Sequence, residues 1–312
     1  MKAILYKKTK PNYTLQYTEI AKPIPKPNEV LVKIYCSSIN AADYRMFAMG
    51  FPPKKKIFGA DIAGVVESVG AKVTQFKPGD QVFGDLSNSG FGGFAEYVAV
   101  SGSILALKPE NISFEEIAAF PLAGITALQA LRDKGNVQRK KSVLIDGSSG
   151  GVGTFAIQLA KFMGATVTAV SSKRNLEQSR KLGADFVIDY NKDDFTKLGN
   201  QYDLILAING NHSLSEYKKC LTPNGKFVLI GGKLGQIIKA LLFVKLMSFG
   251  SKKMSVLAAK VNLNDLKVMA RLIQNGKIHS VIEKIYPLER TEEAMKYVSQ
   301  SHASGKIVIK VQ

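Results

Sequence analysis

A glycine-rich segment in the middle of the chain has the residue types and spacing needed to hold a phosphate group. Gly147, Gly150 and Gly153 recur every third residue, after the apolar segment 142–146 and before the segment 152–163, whose apolar residues have helical spacing. Such glycines let the backbone turn sharply and approach a pyrophosphate, and the first N–H groups of the helix face its negative charge. The pattern predicts a dinucleotide site in a strand–turn–helix–strand unit.

The segment departs from the strict G-x-G-x-x-G fingerprint, because Ser149 stands where the second glycine would be. A plain turn before a helix is therefore the alternative interpretation. A second apolar segment at 166–170 falls at the spacing expected of the next strand, which favours the dinucleotide site. The residues expected to surround the cofactor in this turn are Ser148, Gly150, Gly151, Val152 and Gly153.

The end of the second strand predicts which dinucleotide binds. A site for NAD usually has an Asp or Glu about 20 residues after the first glycine, where it accepts hydrogen bonds from the ribose hydroxyls. This chain has Ser171, Ser172, Lys173 and Arg174 there, and no acid before Glu177. Hydroxyls and cations suit a 2′-phosphate, so we expect NADPH, bound by Ser171, Lys173 and Arg174. The alternative is that both cations are solvated residues at a helix start, which would relax the preference.

Length and cysteine content predict a multi-domain protein of a reducing compartment. A chain of 312 residues exceeds a comfortable single core, so one large or two ordinary domains are expected. Cys36 and Cys220 cannot form a disulfide framework. Met1–Tyr6 leads directly into strand-like sequence without a signal-peptide core, and no run of about 20 apolar residues follows. We therefore expect a cytoplasmic location.

The net charge of +18 does not have the pattern of a nucleic-acid binder. The 43 Lys and Arg are dispersed, with small clusters at 54–56 and 139–141, and aromatic residues are not interleaved with them. We expect no nucleic-acid partner and a basic surface that attracts an anionic cofactor. The segment 226–260 holds seven lysines and no acid around the apolar stretch 237–249. A basic amphipathic helix on an anionic membrane is possible there, but a buried helix lining the active site or a subunit contact is favoured.

Strand-like segments divide the chain into a β-rich part and an α/β part. Alternating residues at 1–37, and short strands with glycine turns from Phe58 to Val98, predict a compact β domain. Six apolar strand segments alternate with helices in the middle of the chain and predict a doubly wound parallel sheet. These strands are expected at 142–146, 166–170, 186–189, 203–207, 226–230 and 254–257.

Two glycine motifs in the β-rich part carry a family resemblance. The pattern G-x-D-x-x-G-x-V-x-x-x-G-x-x-V begins at Gly59, and G-D-x-V begins at Gly79. With the later glycine turn, these resemble the medium-chain dehydrogenase/reductase superfamily over essentially the full length. The resemblance implies a GroES-like catalytic domain at 1–120 and 260–312 and a Rossmann dinucleotide-binding domain at 121–259.

The resemblance is to the zinc-free quinone oxidoreductase and enone reductase branch. Asn40 stands where zinc alcohol dehydrogenases have Cys, and Gly59-Ala60-Asp61 stands where they have Gly-His-Glu. Zinc needs three or four N or S ligands, and the three histidines lack ligand spacing. We therefore expect no metal site. The histidines are His212, His279 and His302.

Further cofactor residues follow from strand ends and from the resemblance. Asn209 and Gly231 come after predicted parallel strands, at the carboxyl edge where such sheets bind ligands. By resemblance, Thr126 lies near the nicotinamide, Tyr190 contacts the adenosine phosphate, and Lys306 lies in a small-Gly-Lys turn beside the cofactor. The alternative for Thr126 is a helical threonine that bonds to its own backbone.

The resemblance implies hydride transfer from NADPH to a quinone or to the β-carbon of an α,β-unsaturated carbonyl. Without zinc, the oxygen that gains charge must be stabilised by hydrogen-bond donors, and Asn40, Tyr44 and Arg45 are the candidates. Tyr44 has a packed aromatic as its alternative role. Two other functions stay open, a zinc-free alcohol dehydrogenase and a non-catalytic NADPH-binding sensor. The family often forms homodimers, so a homodimer is expected.

Overall fold

The computed structural model describes residues 1–9, 12–232, 234–248, 250–300 and 303–312. Within it the chain divides into two compact units, which we call unit 1 and unit 2. Unit 1 is Met1–Ile125 with Val261–Gln312, and unit 2 is Thr126–Lys260. The sequence analysis set these boundaries at 120/121 and 259/260.

The first stretch of unit 1 is rich in strands, as expected from its alternating residues. A short 3₁₀ turn follows β6 at Gly102–Ile104. The elements are, in chain order, β1 (Lys2–Thr9), β2 (Asn12–Glu19), β3 (Glu29–Ile39), α1 (Ala41–Ala48), β4 (Asp61–Val69), β5 (Gln81–Asp85), β6 (Tyr97–Ser101), β7 (Leu105–Leu107), α2 (Phe114–Ala118) and α3 (Pro121–Gln129), which continues into unit 2 at Thr126.

Unit 2 alternates strands with helices. A π turn continues α3 at Ala130–Gly135, and 3₁₀ turns lie at Lys173–Asn175 and Phe195–Lys197. The elements are β8 (Ser142–Asp146), α4 (Gly151–Phe162), β9 (Thr166–Ser171), α5 (Leu176–Lys181), β10 (Phe186–Asp189), β11 (Tyr202–Ala207), α6 (Leu214–Lys219), β12 (Leu221–Leu229), α7 (Leu234–Met247) and β13 (Lys253–Val256).

The C-terminal segment returns to unit 1. It contains α8 (Leu263–Gln274), β14 (Ile282–Pro287), a 3₁₀ turn (Leu288–Arg290), α9 (Thr291–Ser299) and β15 (Lys306–Lys310). In unit 1 a seven-stranded sheet has the order β14-β15-β3-β4-β5-β7, with β6 pairing β3, and β1 and β2 form a separate two-stranded sheet. The last strand, β15, thus pairs with the strand that leads to Asn40.

The sheet of unit 2 has the order β10-β9-β8-β11-β12-β13, and all its strands are parallel. This confirms the predicted doubly wound six-stranded sheet. Its central strands read as continuous apolar runs because helices cover both faces of such sheets. The order reverses between β8 and β11, and ligands bind at the carboxyl ends of strands at such a point.

The apolar stretch predicted at 237–249 lies largely in α7, and Phe249 lies outside the described residues. Its side chains divide between the core and solvent. Val244 is buried in the core of unit 2, whereas Ile238, Leu242 and Phe243 are exposed. Part of the described surface of the helix is therefore exposed within unit 2, and the expected burial against the active site or a subunit contact stays a prediction.

Two glycines of the β8–α4 turn should respond differently to an added methyl group. A Cβ on Gly153 would lie 2.4 Å from the Gly147 carbonyl oxygen, whereas a Cβ on Gly150 would meet nothing within 4 Å, and the φ of Gly150 is −77°. Gly153→Ala should therefore lower the free energy of unfolding by about 1–3 kcal/mol. Gly150→Ala, the matched control, should unfold at nearly the wild-type urea concentration. Equal losses in the two variants would contradict the described turn.

Candidate active site

The β8–α4 turn of unit 2 offers donors and space for a phosphate. Gly147 has a φ of +90°, and α4 begins at Gly151 after an extended Gly150. The Ser148 side chain is buried, and its Oγ donates to the Val170 carbonyl oxygen at 3.0 Å. The first N–H groups of a helix have no intrahelical acceptor and favour an anion. With the open space around Gly150, this turn fits the pyrophosphate of a dinucleotide.

Two unpaired cations lie at the end of β9. Lys173 and Arg174 occupy the exposed 3₁₀ turn after the strand, and neither forms an ion pair with a described residue. The next acid, Glu177, pairs instead with Lys181 at 2.9 Å. Nothing in this turn therefore neutralises the positive charge that a 2′-phosphate would meet.

The end of β10 places Tyr190 beside this turn. The Tyr190 backbone N–H donates to the Ser171 carbonyl oxygen at 3.2 Å, while its side chain is 60% exposed. Ser171 itself is buried at the last position of β9. The structure thus brings Ser171, Lys173, Arg174 and Tyr190 together at one corner of the sheet edge.

The ends of β8, β11 and β12 form the centre of the same edge. The Asn209 backbone N–H donates to the Asp146 carbonyl oxygen at 3.3 Å, and that of Gly231 donates to the Ala207 carbonyl oxygen at 3.3 Å. A Cβ on Gly147 would lie 2.9 Å from the Asn209 nitrogen, so glycine is required at this close approach. Ser148, Asn209 and Gly231 therefore lie on neighbouring strand ends. Thr126, on α3, is also buried in unit 2.

A buried carboxylate at this edge was missed by the sequence analysis. Asp146 ends β8, and one of its oxygens accepts a hydrogen bond from the buried Tyr217 hydroxyl at 2.5 Å. Burial raises the pKa of Asp146, while the Tyr217 hydrogen bond and the charge of His212 oppose that shift. The sequence shows only that Asp146 is an acid at the end of an otherwise apolar strand. Its partner Tyr217 is 71 residues away, so the pair could not be predicted from the sequence.

The centre of unit 1 is a buried ammonium group. The Lys306 side chain is 3% exposed, and its Nζ donates to Asn40 Oδ1 at 2.6 Å and to the Ile39 carbonyl oxygen at 3.0 Å. Asp61 Oδ2 lies 3.4 Å from the same nitrogen, and the Asp61 side chain is fully buried. Burial lowers the pKa of Lys306, while the nearby carboxylates of Asp61 and Asp43 oppose the shift.

Asp61 links this ammonium to two other segments of unit 1. Its Oδ2 accepts from Ser38 Oγ and from Asn40 Nδ2, both at 2.8 Å, and its Oδ1 accepts from the Leu122 backbone N–H at 2.9 Å. The Asn40 amide is thus engaged at both ends, with Lys306 at its oxygen and Asp61 at its nitrogen. Asn40 is held as a buried, oriented group.

Two further buried carboxylates border this cluster. Asp43 accepts from the backbone N–H groups of Asn40 at 2.8 Å and Gly59 at 2.9 Å, and burial raises its pKa to about 7. Asp85 pairs with Asp61 across β4 and β5. One of its oxygens accepts from the Ser87 N–H, and the other has no partner among the described residues. Burial and the charge of Asp61 raise the pKa of Asp85 to about 7.

The other two catalytic candidates lie on α1, a helix that the sequence analysis did not predict. Tyr44 and Arg45 are both half-buried, and the guanidinium carbon of Arg45 lies 5.8 Å from the centre of the Tyr44 ring. Tyr44 also packs against the apolar core of unit 1. Its ring is therefore a packed aromatic, and its hydroxyl is the part that chemistry could use.

The described residues do not fit a zinc site. No group of three or more His, Cys, Asp or Glu among them could hold a metal ion. Burial raises the pKa of the Cys36 thiol to about 12, which disfavours the thiolate that zinc binds. Of the three histidines, His302 lies outside the described residues. Among the same described residues, no helix is long and apolar enough to cross a membrane.

Known proteins resemble the chain over its whole length. Residues 26–110 match the family described as "Alcohol dehydrogenase GroES-like domain", which confirms the predicted GroES-like fold, and residues 182–309 match "Zinc-binding dehydrogenase". A "Chloroplast envelope quinone oxidoreductase homolog" of Arabidopsis thaliana is 34% identical over 95% of this chain and 93% of its own.

Two other similar proteins have descriptions of the same kind. An Arabidopsis thaliana "NADPH-dependent alkenal/one oxidoreductase, chloroplastic" is 33% identical over 94% of this chain and 74% of its own. A solved structure of "the quinone oxidoreductase from Coxiella burnetii" covers 100% of this chain and 99% of its own, with a TM-score of 0.89 and 29% identity.

Replacing Lys306 tests whether its buried ammonium stabilises unit 1. Lys306→Met leaves Asp61 buried without its cation, so the free energy of unfolding should fall by about 3–5 kcal/mol. Lys310→Met, on the same strand but exposed, should change it by no more than about 0.5 kcal/mol. Urea unfolding measures both, and equal effects would contradict the role of the buried ammonium.

The raised pKa of Asp85 should make the stability of the folded protein depend on pH. The folded state keeps the Asp85 proton up to about pH 7, whereas the unfolded chain releases it near the ordinary pKa of 3.8. Stability from this group is therefore lost as the pH rises between these values. Asp85→Asn should be more stable than the wild type at about pH 8 and comparable at about pH 4. Asp193→Asn, at an exposed carboxylate, should show no such difference between the two pH values.

Proposed function

We propose that this chain, which belongs to the quinone oxidoreductase branch of the medium-chain dehydrogenase/reductase family, is an NADPH-dependent reductase of quinones and α,β-unsaturated carbonyls. The observation that carries the proposal is the carboxyl edge of the parallel sheet. There open space at Gly150 accompanies the unpaired cations Lys173 and Arg174. The relatives named as quinone and alkenal/one oxidoreductases support the choice of acceptor.

The cofactor residues are proposed from their position at this edge. The backbone of Gly150, Gly151, Val152 and Gly153 would face the pyrophosphate, and Ser148 supports the turn from below through its bond to the Val170 carbonyl. Lys173 and Arg174, with Ser171 and Tyr190, would receive the adenosine phosphate. Asn209, Gly231 and Thr126 are proposed for the nicotinamide half of the cofactor. For Lys306, whose ammonium is enclosed in unit 1, we propose an indirect role through Asn40.

Bound NADPH supplies a hydride, and the remaining task of the chain is to stabilise the oxygen that gains charge. We assign that task to the Tyr44 hydroxyl and the Arg45 guanidinium, which are the donors on α1. Asn40 precedes α1, and its amide is fixed by Lys306 and Asp61. It therefore acts as a positioning residue for the start of the helix. A conjugated acceptor delocalises the developing charge, so these neutral and cationic donors suffice without zinc.

The absence of zinc, the partners, the domain bounds and the location are proposals as well. Zinc-independence is supported by the poor fit of the described residues to a metal. From the resemblance we propose a homodimer, a catalytic domain at 1–120 and 260–312, and a cofactor domain at 121–259. From the dispersed charge we propose no nucleic-acid partner. The cytoplasmic location is proposed from the sequence alone. The Arabidopsis relatives named above are described as chloroplast proteins.

A substrate panel tests the proposed reaction. The purified protein should oxidise NADPH in the presence of an enone, an alkenal or a quinone, and added EDTA should not reduce the rate. An alcohol with NADP⁺ should give no reduction. Turnover of the alcohol alone would favour an alcohol dehydrogenase. Tight NADPH binding without turnover of any conjugated acceptor would favour a sensor and contradict the reductase.

Charge neutralisation tests the proposed phosphate site. Lys173→Gln/Arg174→Gln removes both cations, so KM for NADPH should rise about 10–100-fold while KM for NADH changes little, because a loss of about 1.5–3 kcal/mol of charged hydrogen bonding to the 2′-phosphate corresponds to that factor. Arg180→Gln/Lys181→Gln removes two exposed cations at the end of α5, and its KM values should stay near wild type. Parallel losses for NADPH and NADH would contradict the assignment.

A further inference from the structure

A groove of about 550 Å³ lies in unit 1 between α8 and the strands β5 and β7. Its volume is within the range of about 300–1,000 Å³ that ligand pockets occupy. It is lined by residues that the proposed reductase site does not use. One wall is a single face of α8, because its residues are spaced by three, four or seven positions. The α8 residues of that wall are Leu263, Lys267, Ala270, Arg271 and Gln274.

The floor of the groove is apolar. Leu107, which is 58% exposed, and the half-buried Leu263 line it, together with the buried Phe76, Phe83 and Leu105. The opposite face of α8 is also apolar, with Leu266 and Met269 fully buried. The buried face anchors α8 to the core of unit 1. The polar residues of its other face, Lys267 and Arg271, therefore lie beside the apolar surface of the groove.

The charged residues of the groove are all cationic. Lys108, Lys267 and Arg271 line it, and no acidic residue does. The Lys108 ammonium is already used, because it donates to the carbonyl oxygens of Pro109 at 2.9 Å and Ile112 at 2.6 Å. Lys267 and Arg271 are exposed, and neither forms an ion pair within the described part of the chain. They are one helical turn apart, and like charges at that spacing repel.

We propose that this groove binds a free long-chain carboxylate. The alkyl chain would lie on Leu107 and Leu263, and the carboxylate would lie between the Lys267 ammonium and the Arg271 guanidinium, whose planar fork matches it. An anion at this position relieves the repulsion of the two cations, and the apolar floor removes the chain from water. The groove, at about 550 Å³, has the size of a small-molecule pocket, so the proposed occupant is an acid with one alkyl chain. The proposal is independent of the reductase activity.

A fluorescent fatty acid, 11-(dansylamino)undecanoate, tests this site. Its fluorescence should rise on binding to the full chain, and binding should weaken about tenfold or more in Lys267→Gln/Arg271→Gln. The matched control, Lys7→Gln/Lys8→Gln, removes two exposed cations from β1 of the same unit and should bind the probe like the wild type. Equal weakening in both double variants would show a general charge effect and overturn the proposal.

A second variant tests the groove by its shape rather than its charge. Gln274 is exposed at the rim, so Gln274→Trp should fold normally and block the groove, and probe binding should be lost while NADPH oxidation is kept. The uncharged amide of the probe should bind about tenfold more weakly than the acid. Unchanged binding in Gln274→Trp would overturn the proposal. So would association with vesicles of anionic lipid in the absence of any binding of the monomeric probe.

Discussion

The buried Lys306 ammonium is the constraint on which unit 1 depends. An ammonium out of water is costly unless it is paired and hydrogen-bonded, and here Asn40, Asp61 and the Ile39 carbonyl oxygen surround it. Because Lys306 begins the last strand, its side chain ties the C-terminus of the chain to the segment that starts α1. The same carboxylate that faces Lys306 also accepts from the Leu122 backbone, at the start of α3. The position of the proposed donors Tyr44 and Arg45 follows from this cluster.

In unit 2, by contrast, the positive groups lie exposed at the edge of the sheet. Its edge leaves backbone donors at the start of α4, open space at Gly150 and exposed cations after β9. Ser148 and Asp146, in contrast, are buried and bonded to Val170 and Tyr217. Rigid support below the edge and unpaired donors above it are what an anionic ligand requires. The family model described as zinc-binding matches this chain, yet the buried cation beside Asn40 and Asp61 is a lysine.

The sequence predicted the parts of the fold that depend on local pattern. Apolar segments and the glycine turn fixed the six parallel strands and the start of α4 within a few residues, because period and turn chemistry are read locally. The Lys306 cluster could not be predicted, since its contacts with Asn40 and Asp61 join residues 266 and 245 positions apart. The helix α1 was missed because its eight residues are too few to show a clear helical period. Which side chains of α7 are exposed within unit 2 could not be predicted, because an apolar run does not reveal which side faces the core.

The most direct test of the central claim is transfer of deuterium from NADPH. A cofactor carrying deuterium at the transferable position of C4 is incubated with the protein and an enone in EDTA-containing buffer, and the saturated product is analysed by mass spectrometry and NMR. The account predicts one deuterium, at the β-carbon, and a proton from water at the α-carbon. A product without deuterium at the β-carbon, or oxidation of the cofactor without reduction of the enone, would contradict it.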